Sequence, residues 1–158
     1  MQVITRSGKS EPFKFDKIAD RLSELSENLE VDPVVIVKDV AARIKDQITT
    51  RELDELTSNT CLQKLLEHPD YGKLAARVSI DNHHKITAGN FKEVVSRLAS
   101  HVDALGEPAP LISTEIVEMC EDPHKLNKIT NWIDYTRDFN LDCFAFKTLE
   151  RAYLLKSQ

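Results

Sequence analysis

Arg6, Lys9, Lys14 and Lys17 crowd the first seventeen residues, while Thr50 and Lys85 lie far along the chain. Cations and a hydroxyl of this kind could hold a polyanion if the fold brought them to one place. A helix start nearby would help, because its unpaired N–H groups and dipole favour negative charge. The same residues would also suit a solvated basic rim, and both readings stand at this point.

Other chemistries find no pattern. GxxxxGK followed by Ser or Thr is absent, so there is no P-loop, and no GxGxxG follows a strand. His83 and His84 are adjacent, point to different sides of a helix and cannot form an i, i+4 metal pair. His68, His101 and His124 show no ligand spacing, so all five histidines are expected in surface or capping roles. Cys61, Cys120 and Cys143 are scattered, with no CxxC, as reduced thiols in a cytosolic protein would be. Two of them could pair by oxidation, but each sits in a helical pattern that favours packing.

The elements that must position the cations can be read in order. Val3 and Ile4 open a β run, Ser7-Gly8-Lys9 marks a turn, and Phe13-Lys14-Phe15 alternate as a second strand with Pro12 near its start. Asp16 is placed to cap a first helix, whose apolar face is Ile18, Leu22, Leu25 and Leu29, ending near Glu30. By itself this hairpin also reads as a simple lid on a helical core. Asp32-Pro33 starts a second helix with Ile36, Val37, Val40, Ala41 and Ile44 inward. Gln47-Ile48-Thr49 could add a third strand, and Thr49 with Glu52 has the form of a capping box. The third helix then carries Leu53, Leu56, Thr60 and Leu65 up to His68-Pro69. Asp70 should cap a fourth helix through Tyr71, Leu74, Ala75 and Val78, with Gly89 past its end and Asn90 as the next cap.

The fold class expected is mainly α: residues 1–90 form a four-helix bundle capped by a small N-terminal hairpin or sheet, and residues 91–158 a second helical segment. In such a bundle the starts of helices one and three share an end with the finish of helix four. The hairpin runs into helix one, so it covers that same end. Arg6, Lys9, Lys14, Lys17, Thr50 and Lys85 would then surround one polyphosphate-sized pocket. Past residue 90, Phe91, Val94, Val95 and Leu98 form a helix, Gly106 to Pro110 a loop, and Ser113 and Asp122 start two more helices. The stretch Asp134 to Leu155 is rich in aromatics and should bury them, with a larger protein or another chain supplying surface.

Composition narrows the class further. With 158 residues, 41% hydrophobic and 30% charged, the chain suits one globular domain or two small ones. A net charge of −5 argues against a general nucleic-acid binder. The apolar runs are too short to span a bilayer and no signal peptide opens the chain, so no membrane association and a cytoplasmic location are expected.

Three blocks, VITRSGKSEPFKFDKI, ITTRELDEL and HPDYGKLAARVSIDNHHK, resemble the ATP-cone of the large subunit of class I ribonucleotide reductase. A fourth, IDYTRDFNLDCFAFKTLERAYLLK, is similar to the segment that follows the cone in that family. The resemblance implies an overall-activity site, where ATP supports and dATP inhibits the reduction of ribonucleoside diphosphates, with Mg²⁺ on the phosphates. It places Thr5 and Arg6 on the first strand's side of the nucleotide. Glu11, Pro12, Phe13, Lys14, Phe15, Asp16 and Lys17 follow from the second strand and first helix, with Lys17 on phosphate. Thr50 and Lys85 are added from helices three and four, and Asp54 stands where ATP and dATP are told apart. It implies as partners the remainder of the large subunit, other large-subunit chains and the small radical-carrying subunit, but not DNA. The usual opening of the family is Lys-Arg-Asp-Gly; here Thr5-Arg6-Ser7-Gly8 removes one cation. The catalytic barrel and its cysteines lie beyond the matched segment, and Cys61, Cys120 and Cys143 do not correspond to them, so no catalytic or metal residue is expected. Two rivals remain at this level. One is a nucleotide-sensing transcriptional regulator, although no CxxC precedes the hairpin. The other is a degenerate cone kept as an interaction module.

Overall fold

The computed structural model describes residues 1–154, so Leu155 and the residues after it lie outside the described residues. The protein is mainly helical with a small sheet at its N-terminus. Strands β1 (Gln2–Ile4), β2 (Ser10–Pro12) and β3 (Ile48–Thr49) lie in the order β2-β1-β3, with β2 antiparallel and β3 parallel to β1. Gly8, at φ +79°, supplies the left-handed residue of the turn, and the Thr5 hydroxyl ties the loop by donating to the Lys9 carbonyl at 3.0 Å.

The second strand differs from the expectation of Phe13-Lys14-Phe15. Ile4 already pairs with Ser10, so the strand is spent by Pro12, and the Phe13 N–H makes the last bond of the hairpin to the Met1 carbonyl at 3.1 Å. Pro12 therefore ends the strand instead of starting it. β2 is an edge strand, where a residue without an N–H is tolerated. Helix α1 (Phe15–Leu25) begins at once and absorbs Phe15 and Asp16. Asp16 is thus not the cap: Lys14 holds that position with no side-chain bond, and Asp16 lies in the first turn, where its charge favours the dipole.

Helix α1 stops at Leu25, short of Glu30, because Asn28 takes a left-handed backbone at φ 61°. Arg77 closes the end by donating to the carbonyls of Leu25 and Glu27, both at 2.8 Å. Helix α2 (Pro33–Ala41) has the expected start, with Asp32 accepting from the Val34 N–H at 2.9 Å. Helix α3 (Thr50–Gln63) opens with the complete Thr49–Glu52 capping box but ends before Leu65, which is half exposed. Thr49→Ala is expected to lower stability by about 1 kcal/mol, measurable as a shift in the urea midpoint.

Helix α4 (Asp70–Ile86) is entered from Pro69, not capped by Asp70. The Asp70 carboxylate instead accepts from the Glu30 N–H at 3.0 Å and pairs with Lys73 at 2.7 Å, fastening the loop before α2 to α4. The helix ends at Ile86 with an extended Thr87 whose hydroxyl donates to the His83 carbonyl, so Gly89 is not its terminator. Leu22, Ile36, Val40, Leu53, Leu74 and Val78 fill the core of these four helices.

Helices α5 (Phe91–Ala99), α6 (Thr114–Glu121) and α7 (Pro123–Trp132) follow, capped by Asn90 at α5 and Asp122 at α7. A 3-10 helix (Tyr135–Asn140) and helix α8 (Cys143–Ala152) then return to α4. Ala76 is small enough to admit Phe146, which is buried beside Ile80. The tail does not bury all its aromatics: Trp132, Phe144 and Tyr153 are largely exposed. His83 and His84 also depart from surface or capping roles. His83 meets the Phe146 ring edge-on at 5.6 Å, and His84 Nε2 lies 2.7 Å from Asp138 of the 3-10 helix. Cys61 and Cys120 are buried and Cys143 partly buried, all as free thiols, and burial pushes the Cys61 thiol up to about 12.

Local bonds hold several carboxyls below their ordinary range. Thr49 does so for Glu52, Lys73 and the Glu30 N–H for Asp70, the His124 and Lys125 N–H groups for Asp122, and Thr136 for Asp134. Each folded-state pKa lies below its unfolded value. The stability each contributes is therefore present above the ordinary carboxyl range and is lost as pH falls through and below it. Circular dichroism should show the melting temperature steady from neutrality to mild acid and falling below about pH 4.

Candidate functional site

A cavity of about 620 Å³ opens where the hairpin meets the bundle. Its walls come from β1 and its loop (Val3, Thr5, Arg6), the strand-to-helix junction (Glu11 to Lys14), α1, the start of α3 and the last turn of α4. That volume is in the range of small-molecule sites. The positions follow from polarity: α1 and α3 start at this end and α4 finishes there, so Thr50 and Lys85 reach the same space as Lys17. Helix α2 contributes no lining residue.

Ion pairs organise the inner wall. Asp54, on the first turns of α3, is 6% exposed and accepts from two arginines. Arg6 Nη2 donates to its Oδ2 at 3.0 Å, and Arg21 Nη1 donates to its Oδ1. Arg21 Nε also donates to Asp81 at 2.6 Å, and Lys85 Nζ donates to the same Asp81 oxygen at 2.6 Å. Arg6 further donates to Asn82 at 2.7 Å. Burial pushes the Asp81 carboxyl up, but the Lys85 bond and the Arg21 charge outweigh it, and the group stays below its ordinary value. Lys17 stands apart: its side chain is 70% exposed, and its nearest carboxylate, Glu11, is 3.9 Å away.

The cavity lining carries the cations Arg6, Lys14, Lys17, Arg21 and Lys85 against the carboxylates Glu11, Asp20, Glu24 and Asp54. An anion entering it meets two ammoniums, Lys14 and Lys17, without a close carboxylate, and three cations, Arg6, Arg21 and Lys85, already held in place by carboxylates. Phe13, Val3 and Leu22 supply apolar wall. Among the described residues no group of three or more His, Cys, Asp or Glu is placed to hold a metal ion. The arrangement suits binding.

Of the residues singled out from the sequence, Thr5, Arg6, Glu11, Pro12, Phe13, Lys14, Lys17, Thr50, Asp54 and Lys85 all line this cavity. Phe15 and Asp16 do not. Phe15 meets Phe13 edge-on at 4.6 Å and is half exposed, and Asp16 lies exposed in the first turn of α1. Lys9 is held at the hairpin loop and is not part of the lining. The sequence reading missed Arg21, Asp81 and Asn82. Helical spacing carried the signal: Arg21 is four residues after Lys17, and Asp81 four before Lys85.

Fold and cavity define the class as a hairpin-lidded four-helix domain with a cationic pocket at one end. Residues 1–86 match the ATP cone domain family. The chain belongs to the ATP-cone family. Over 158 residues it is 43% identical to the ribonucleoside-diphosphate reductase large chain of Cryptosporidium parvum, covering 99% of this chain and 19% of that protein. It is 44% identical to the large subunit of Plasmodium falciparum (isolate Dd2), again with 99% and 19% covered. The large subunit of Arabidopsis thaliana is 41% identical, with 100% of this chain and 20% of that protein covered. The chain thus spans about a fifth of the length of these curated relatives.

Proposed function

We propose that this chain is the ATP- and dATP-binding regulatory region of a ribonucleoside-diphosphate reductase large subunit, acting on deoxyribonucleotide synthesis by changing subunit assembly. The observation that carries this is the single cavity shared by Arg6, Lys17, Thr50 and Lys85, closed on its inner side by Asp54. The family match over residues 1–86 supports adenine nucleotide as the occupant. The triphosphate lies toward Lys17, Thr50 and Lys85, and Mg²⁺ enters with the phosphates. The apolar side of the cavity at Phe13 and Leu22 takes the base. Asp54 distinguishes ATP from dATP through its grip on Arg6. Residues 1–90 act as the effector module and residues 91–158 as its connection to the rest of the large subunit, where the reduction itself takes place. Other large-subunit chains and the small radical-carrying subunit are the remaining partners.

Thermal unfolding with ATP, dATP and GTP, each with Mg²⁺, tests the reading. A ligand present at about 100 times its Kd should stabilise the fold by roughly 2.7 kcal/mol. ATP and dATP are expected to raise the melting temperature well above any GTP effect. Equal, negligible shifts with all three would leave only a cone serving as an interaction module.

A further inference from the structure

A second, smaller polar cavity of about 110 Å³ lies behind the first, between α3, α4 and α8. Asp54 lines both cavities, and Asn82 lines the smaller one while binding Arg6 of the larger. The far wall belongs to Lys147 and Glu150 of α8, with Arg51 of α3 beside them. Ser58 and Ser79, joined at 2.9 Å, lie across the lining between α3 and α4. One guanidinium, that of Arg6, therefore satisfies two acceptors that form the partition between the cavities.

We propose that Asp54 and Asn82 transmit occupancy of the large cavity to α8, with Lys147 as the receiving group. This rests on the reading of the large cavity as an anion site. An anion that draws Arg6 outward removes a donor from Asp54 Oδ2 and from Asn82 Oδ1 at once. Asp54 is buried and keeps only Arg21, on Oδ1, so its freed Oδ2 is costly to leave unpaired, and the partly buried Asn82 loses its charged donor; both then turn to the cations on their other side. Those are Arg51 and Lys147. Lys147 can be recruited, since its side chain is partly exposed and a single i, i+3 carboxylate, Glu150 at 3.1 Å, holds it. Its stem passes the ring of Phe146, 5.8 Å from Nζ, which anchors α8 on α4. A change of partner at Lys147 thus acts on the docking of α8. By linkage, the state of α8 acts equally on affinity in the large cavity.

Amide hydrogen exchange on the whole chain tests this in two arms. Arg6→Ala removes the shared donor without any ligand, and Asn82→Ala breaks the partition from the other side. Either variant should change exchange across residues 143–152 by about threefold or more. In the second arm, ATP with Mg²⁺ should protect the hairpin and alter exchange in α8 together in the wild type. Lys147→Met should abolish the α8 response and shift ATP affinity by about threefold or more, although it does not line the large cavity. Nucleotide protection of the hairpin with α8 unchanged would overturn the proposal and leave the site reading intact. Absence of nucleotide protection anywhere would overturn the site reading, and the Arg6→Ala and Asn82→Ala arm would then decide the coupling alone. Exchange in α8 unmoved by both variants would end it.

Discussion

Asp54→Ala is expected to destabilise the fold by about 3 kcal/mol, the cost of removing one member of a buried ion cluster and leaving the others uncompensated. Asp54 is almost fully buried, and two guanidiniums converge on its two oxygens. Without it, Arg6 and Arg21 face each other with no charge between them. Arg21 keeps Asp81, but that carboxylate already serves Lys85. The loss should therefore exceed that of an exposed ion pair, which rarely reaches 1 kcal/mol. Asp54→Asn keeps the shape and one acceptor and should cost distinctly less. Urea unfolding measures both, and a change below about 0.5 kcal/mol for the alanine variant would mean that the cluster carries no structural weight.

Lys17→Ala is expected to weaken ATP and dATP binding by about 1.5–3 kcal/mol, or roughly tenfold to a hundredfold in Kd. The structure gives a reason to single it out. Arg6, Arg21 and Lys85 each hold a carboxylate at hydrogen-bond distance, so a phosphate must compete for them. Lys17 is exposed and loosely paired, and can turn to a phosphate at small cost. The fold should be unaffected, since an exposed side chain on α1 holds nothing else in place. Isothermal calorimetry with dATP checks the value, and unchanged affinity would remove Lys17 from the site.

The two variants separate the roles of neighbouring charges. Asp54 acts first on the fold and through Arg6 on the ligand, whereas Lys17 acts on the ligand alone. The same contrast explains what could be read from the chain. Caps with a local side-chain signal were legible: Thr49 with Glu52, Asp32 before Pro33 and Asn90 all do what their spacing implies. Asp16 and Asp70 carry the same kind of signal but fail as caps. The hairpin register brings α1 forward to Phe15, and the Glu30 N–H competes for Asp70. Cap propensity is local, and in both cases a contact from outside the segment decided the outcome.

The cavity was legible because helix polarity in an antiparallel bundle fixes which ends meet. That argument placed Arg6, Lys14, Lys17, Thr50 and Lys85 together without any family resemblance, but it also placed Lys9 there, which does not line the cavity. The carboxylates that hold the cations were not legible by the same route. Asp81 and Asn82 lie in the C-terminal half of a long helix; the i, i+4 spacing marks Asp81 as a partner of Lys85, but nothing local shows that the two face Arg21 and Arg6. Their role depends on the rotation of α4 against α1 and α3, which packing of Leu22, Leu53 and Val78 sets. His84 shows the same limit, since its contact with Asp138 joins residues fifty-four apart.

Backbone amide chemical shifts followed by NMR during titration with dATP and Mg²⁺ test the central claim most directly. The account predicts saturable shifts concentrated on Thr5 and Arg6, Lys14 to Arg21, Thr50 to Asp54 and the last turn of α4 at Lys85. Saturable shifts confined to residues 91–154, with the hairpin and the start of α3 unmoved, would contradict it.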